Sequence, residues 1–208
     1  RTMRGEPFEE ARAAALAVLE QLGSFDRVAV VAFDDEARVI SDFDTARAQV
    51  RASLEQLDIE PKSLSTVIWD AGYSAVELVR KGGPALPRRA FVVLFSDGKD
   101  SGSVHSLDET IAFARGEAGQ PAVPVFTVGF SRFGGVGLDN LDELANGSAA
   151  AGFRASTPAE IGGYFSEIWR RMMQSYVIEY PGHMDGQRHT VAVSIGELSA
   201  SRAADYPE

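Results

Sequence analysis

Residues 92–103, VVLFSDGKDSGS, run from an unbroken apolar stretch straight into Asp97, Gly98, Lys99, Asp100 and a row of serines. Phe91–Phe95 shows no polar alternation, so it predicts a strand covered on both faces, as in the centre of a parallel sheet. Open α/β sheets place their ligands outside the carboxyl ends of such strands, which is where Asp97 falls. Asp97-Gly98 is also an ordinary turn dipeptide, and these residues alone leave both uses open.

Helix and strand patterns alternate on either side. FEEARAAALAVLEQLG predicts a helix with Phe8, Ala11, Ala15, Val18 and Leu22 on one face and Gly23 as its stop. DRVAVVAF (26–33) reads as a strand, and ARVISDF, after the turn-like Asp34-Asp35, as its antiparallel neighbour. A second helix is expected from Asp44 or Thr45, with Val50, Leu54 and Leu57 inward. A third follows EPKSLS, with Val67, Ala71, Ala75 and Leu78 on its inner face and Thr66 as a candidate N-cap.

Beyond the central run, Ser106 and Glu109 have the spacing of a capping box. VPVFTVGF predicts a further buried strand, LDNLDELA a short helix, and GFRAS a brief edge strand. Thr157, Pro158 and Glu160 start a last helix lined by Ile161, Phe165, Ile168 and Met172. In the tail, alternation at Tyr176, Ile178, Tyr180 and at His189, Val191, Val193, Ile195 predicts a β-hairpin around PGHMDGQ. The expected fold is therefore α/β: a doubly wound, mostly parallel sheet with helices on both faces over 1–175, and a C-terminal hairpin extension over 176–208.

Bulk properties narrow the function. The 208 residues are 45% hydrophobic and 24% charged, enough for a real core. A net charge of −10 argues against a nucleic-acid surface, which needs clustered Lys and Arg. No run approaches the ~20 apolar residues of a membrane span. With no cysteine there are no thiolate ligands or nucleophiles.

Three readings of the central loop fail on spacing. An EF-hand loop beginning at Asp97 needs an oxygen ligand where Lys99 stands. A P-loop needs a Gly-Lys-Ser/Thr ending that does not occur. For a Ser-His-Asp hydrolase there is no Gly-x-Ser-x-Gly elbow, and His105, His183 and His189 lie in loop or hairpin contexts.

DRVAVVAF, LSTVIWDA and FVVLFSDGKDSGS, in that order, resemble the von Willebrand factor type A (VWA) domains, closest to a bacterial subgroup with SDGxDSxS at this strand end. The resemblance runs from residue 1 to about 180. It implies a metal-ion-dependent adhesion site that holds a divalent cation, Mg²⁺ or else Mn²⁺ or Ca²⁺. Thr66 and Asp97 match the ligands of that family's second and third loops. Thr2-Met3 resembles the end of its first motif, which makes Thr2 the third expected ligand. The leading Asp and Ser of that motif, and the whole first strand, are then expected upstream of residue 1 or in another chain. Without that strand, DRVAVVAF and FVVLF would lie about 10 Å apart, with backbone groups unpaired in the core.

Asp100 and Ser101 are expected to shape the loop or support the site, as is Ser103. Trp69 and Asp70 are candidates to flank it, though Trp69 reads more simply as core, and Phe130, Phe133 and the glycines of GFSRFGGVG are candidates for an exposed recognition loop in contact with a partner. Asp34 and Asp35 read as turn residues.

The resemblance implies a cation-dependent protein-binding module, with an acidic side chain of the partner completing the coordination. No enzymatic activity is expected, because no nucleophile sits beside a general base. The alternative is a scaffolding domain with a degenerate, metal-free site that binds partners through other surfaces. The bacterial subgroup implies an extracytoplasmic location, secreted or periplasmic.

Overall fold

A computed structural model describes residues 5–58, 65–82, 89–116, 120, 122–131, 137–174, 186–195 and 198–205. Thr2, Phe133 and the expected turn at 181–187, except for Gly186 and Gln187 at its end, lie outside these residues.

The first helix, α1, spans Glu6–Gln21 and buries Ala11, Ala14 and Leu19. Strands β1 (Val30–Phe33) and β2 (Ala37–Ser41) form an antiparallel pair joined by the turn at 34–36. Helices α2 (Arg47–Gln56) and α3 (Ile68–Lys81) follow, then strand β3 (Val92–Ser96). Next come α4 (Leu107–Arg115), β4 (Val125–Phe130), α5 (Leu138–Gly147), β5 (Gly152–Ala155) and α6 (Pro158–Met173). β3, β4 and β5 form a parallel sheet in that order, with Val92 opposite Val125 and Thr127 opposite Gly152.

The apolar run of β3 divides between two cores as the period of a strand requires. Leu94 and Val92 pack with Ile68, Val76, Ile111, Leu141 and Leu144, under α3, α4 and α5. Phe91, Val93 and Phe95 turn to the other face and pack with Ala11, Phe126, Val128, Ile161 and Ile168, beneath α1 and α6. This is the expected α/β architecture, with helices on both faces of a parallel sheet. A third, smaller core joins Leu19 of α1 to Val50 and Leu54 of α2.

Every residue of β4 is buried, whereas in β3 only Leu94 and Ser96 are. The difference follows from pairing, since β4 lies between two strands while β3 pairs only with β4 among the described residues. No described strand joins β1 to β3, and α3 packs against β1, β2 and β3 alike, tying the two sheets.

Four boundaries differ from the sequence reading. β1 begins at Val30, not residue 26, because its ladder with β2 ends at Val30–Ser41. Beyond Ser41 the chain turns on the Asp42 carboxylate, which accepts from the Asp44 N–H and the Thr45 hydroxyl. That turn also delays α2 to Arg47. α3 has Val67, not Thr66, as its N-cap, with no cap from a side chain of its own segment. In the tail, β6 (Arg188–Ile195) coincides with the alternation at His189–Ile195 and pairs antiparallel with β7 (Leu198–Asp205), a strand the sequence reading lacks, while the other expected tail strand, at 176–180, lies outside the described residues. LSASRAAD is rich in Ala and Ser, which have little strand preference, and it was not legible as a strand.

Candidate site at the carboxyl end of the parallel sheet

Four segments converge where β1 and β3 end. The Val67 N–H donates to the Asp34 carbonyl at 2.9 Å, fixing the start of α3 to the end of β1. Gly98 (φ 79°) and Gly137 (φ 101°) meet backbone to backbone, so closely that a Cβ on Gly98 would lie 2.3 Å from the Gly137 carbonyl oxygen. Only glycine fits at either position. The loop after β3 is thereby held against the start of α5.

That same loop is bonded to the start of α3. The Thr66 N–H donates to the Ser101 hydroxyl, and the Ser101 N–H to the Thr66 carbonyl, both at 3.0 Å. The Asp100 carboxylate accepts from the Ile68 N–H at 2.8 Å. The Ser103 hydroxyl accepts from the Trp69 and Asp70 N–H groups at 3.0 and 3.2 Å and donates to Asp100 at 2.5 Å. The Ile68, Trp69 and Asp70 N–H groups belong to the first turn of a helix, where such donors ordinarily find an acceptor in their own N-cap. Here the acceptors come from a loop more than thirty positions away.

Asp70, in the first turn of α3, returns the contact. Its carboxylate accepts from the Val104 and His105 N–H groups, both at 2.9 Å, and lies 2.7 Å from His105 Nδ1. Burial pushes the Asp70 carboxyl up, but those two amides and the imidazole outweigh it and hold it below the usual carboxylate range. The His105 ring stacks on Tyr73, Tyr73 on Phe113, each pair 3.9 Å apart, and the Arg80 guanidinium covers Phe113 at 4.3 Å. Ser106 and Glu109 then form the predicted capping box of α4.

Among the candidates from sequence, Thr66 and Asp97 stand half-buried on this one bonded unit. The Thr66 hydroxyl makes no hydrogen bond among the described residues, and an Asp97 oxygen accepts from the Lys99 N–H at 3.2 Å. Asp100 and Ser101 face α3. Trp69 is a core residue, 6% exposed, and reaches the site only through its backbone. Asp34 is a turn residue whose carboxylate is held by both Arg38 terminal nitrogens, at 2.9 and 2.6 Å. Phe130, expected in an exposed loop, is instead fully buried at the end of β4. Sequence reasoning set Asp70 beside the site but missed its anchoring of Val104 and His105, and missed the approach of Gly137 to Gly98, for which no local signal exists.

A model of the von Willebrand factor type A domain matches residues 1–167, most of the chain. The chain belongs to the von Willebrand factor type A family. Solved VWA structures share its fold. A von Willebrand factor type A protein from Catenulispora acidiphila is 19% identical, with 81% of this chain aligned to 39% of that one at a TM-score of 0.66. BatB from Bacteroides thetaiotaomicron is 14% identical over 80% of this chain and 88% of that chain, TM-score 0.61. Proximal thread matrix protein 1 of the mussel byssus, in a structure with a zinc-occupied MIDAS motif, is 13% identical over 78% and 42%, TM-score 0.62. This VWA chain thus spans about two fifths of the Catenulispora protein. No curated protein matches it.

The donors suit a hard divalent cation. A hydroxyl and a carboxylate are the oxygen ligands that Mg²⁺, Mn²⁺ and Ca²⁺ take. Among the described residues no cluster of three or more His, Asp or Glu side chains is placed to hold a metal. The described part would therefore leave several coordination positions to water or to other donors. Nor is any described helix long and apolar enough to cross a membrane.

Proposed function

We propose that this VWA domain binds a protein partner through a divalent cation held at the carboxyl end of its sheet. The observation that carries the reading is the joining of Thr66 and Asp97 on one hydrogen-bonded unit, with the Thr66 hydroxyl uncommitted among the described residues. Thr66 and Asp97 would hold Mg²⁺, Mn²⁺ or Ca²⁺, and Thr2 is the third ligand we assign. The cation supplies a positive, partly open coordination sphere. An acidic side chain of the partner would complete it, with Phe133 as a contact beside it.

The domain's own residues do the positioning. Gly98 and Gly137 lock the loop that carries Asp97, and Asp100, Ser101 and Ser103 lock it to Thr66. The zinc-bearing MIDAS of the mussel protein lends support from a protein of the same fold. We read the domain as a binding module and not an enzyme. Its His105–Asp70 pair is engaged in anchoring the loop, and the neighbouring Ser103 hydroxyl is bonded to Asp100, not to His105. On the family resemblance we place the protein outside the cytoplasm, secreted or periplasmic, which cell fractionation tests.

Calorimetric titration of Mg²⁺ and Mn²⁺ into the intact protein tests the site. Asp97→Ala is expected to weaken binding about tenfold or more, roughly 1.4 kcal/mol, and to leave the fold in place. Identical isotherms for the two proteins, or no binding by either, would remove the cation-site reading in favour of a metal-free scaffold.

A further inference from the structure

We infer that Asp100 and Ser103 are positioning residues that set the preference of the cation site for Mg²⁺ over Ca²⁺. The inference rests on the cation-site reading above. Thr66 comes from the segment before α3 and Asp97 from the loop after β3, so their separation depends on what holds these segments in register.

Ser103 does so with its whole bonding capacity. A serine hydroxyl has one proton to donate and two lone pairs to accept with. Here the proton goes to Asp100 and the lone pairs to the Trp69 and Asp70 N–H groups. Asp100 has three of its about four acceptor sites engaged. One of its oxygens accepts from the Ile68 N–H and the Ser103 hydroxyl, and the other from the Ser103 N–H at 3.3 Å. Neither side chain would touch the ion itself. Each fixes the first turn of α3, and Thr66 just before it, against the loop that carries Asp97.

The two ions respond differently to a loosened pair of ligands. Mg²⁺ demands a near-regular octahedron at ~2.0–2.1 Å, while Ca²⁺ accepts six to eight oxygens at ~2.3–2.6 Å in flexible arrangements. A clasp that fixes ligand separation therefore matters for Mg²⁺ and little for Ca²⁺. Outer residues of this kind typically change metal affinity by about 10- to 100-fold when removed.

The test is separate calorimetric titration of Mg²⁺ and Ca²⁺ into the intact protein, comparing wild type with Ser103→Ala, Asp100→Asn and Thr66→Ala. Melting temperature and amide exchange are recorded on the metal-free forms. Ser103→Ala and Asp100→Asn are expected to lower Mg²⁺ affinity about tenfold and Ca²⁺ affinity less than about threefold. Exchange at Ile68 and Trp69 should accelerate in both. Thr66→Ala should weaken binding of both ions.

Equal losses for the two ions that track the fall in melting temperature would show a merely structural role and overturn the inference. So would unchanged Mg²⁺ binding in Ser103→Ala and Asp100→Asn while Thr66→Ala loses it. A wild type that binds neither ion, or a Thr66→Ala protein that binds like wild type, would instead defeat the site reading, and the inference with it.

Discussion

Two aspartate-rich stretches follow strands in this domain, residues 34–36 after β1 and 97–105 after β3, and they use their side chains in opposite ways. Asp34, 10% exposed, pairs with Arg38 four residues away, closing a turn on itself. The second stretch bonds outward, through Asp100, Ser101 and Ser103 to the start of α3, and receives Asp70 in return. The Arg38 pair stabilises its own turn, and that turn reaches α3 through the Asp34 backbone carbonyl, which accepts from the Val67 N–H, not through the Asp34 side chain. Bonds across the fold fix one segment against another, which a site assembled from several loops requires.

The contrast predicts where substitution does damage. Gly98→Ala would force a side chain into the Gly137 backbone at a left-handed φ, and is expected to lower stability by about 3 kcal/mol or more in urea denaturation. The same new side chain in the first stretch, as Glu36→Ala, should stay within about 0.5 kcal/mol, since it removes only an exposed ion pair. Comparable losses at the two positions would erase the distinction.

A sharper version compares single partners. Asp70→Asn places an amide where two N–H groups need acceptors, and should cost about 2 kcal/mol. Arg38→Ala leaves Asp34 still accepting from the Glu36 N–H at 3.3 Å, and should cost about 1 kcal/mol. Chemical denaturation of both variants gives the order, and the reverse order would contradict the greater importance of the outward bonds.

The smallest effect lies in pH. Burial pushes the Asp34 carboxyl up, but the Arg38 hydrogen bond and the Glu36 N–H bring it below its ordinary value, as the His105 and Val104 amides do for Asp70. A carboxyl held low in the folded state contributes stability that is present above its unfolded-chain pKa, about 3.9. That contribution is lost as pH falls through the lower folded value. Melting temperature should therefore decline below about pH 4, and the gap between wild type and Asp70→Asn should narrow over that range. A gap unchanged down to about pH 3 would mean that the charge on Asp70 contributes nothing.

Legibility from sequence follows the same division. Phe91–Phe95 announced a two-faced strand because each side chain reports its own burial, and the alternation of Leu94 against Phe95 leads directly to the two cores. The Ser106–Glu109 box was legible because both partners lie within one turn. The start of α3 was misread at Thr66 because local reasoning looks for the cap in the preceding residues, while the acceptors sit in the loop after β3. Trp69 was rightly read as core. The approach of Gly137 to Gly98 left no trace in either segment, since both stretches look like ordinary glycine-containing loops.

By itself, then, the sequence determined the order of helices and strands as far as α6, the two-faced centre of the sheet and the gathering of oxygen-bearing residues behind β3. Each of these follows from side-chain periodicity or from contacts within about four residues. Only the tertiary structure decided that β1 stops where its partner turns away, that Asp34 is held by Arg38, and that Asp70, Asp100 and Ser103 bind two distant segments into one. A carboxylate or hydroxyl accepts from whichever N–H packing brings to it, and residue type along the chain does not say which one that will be.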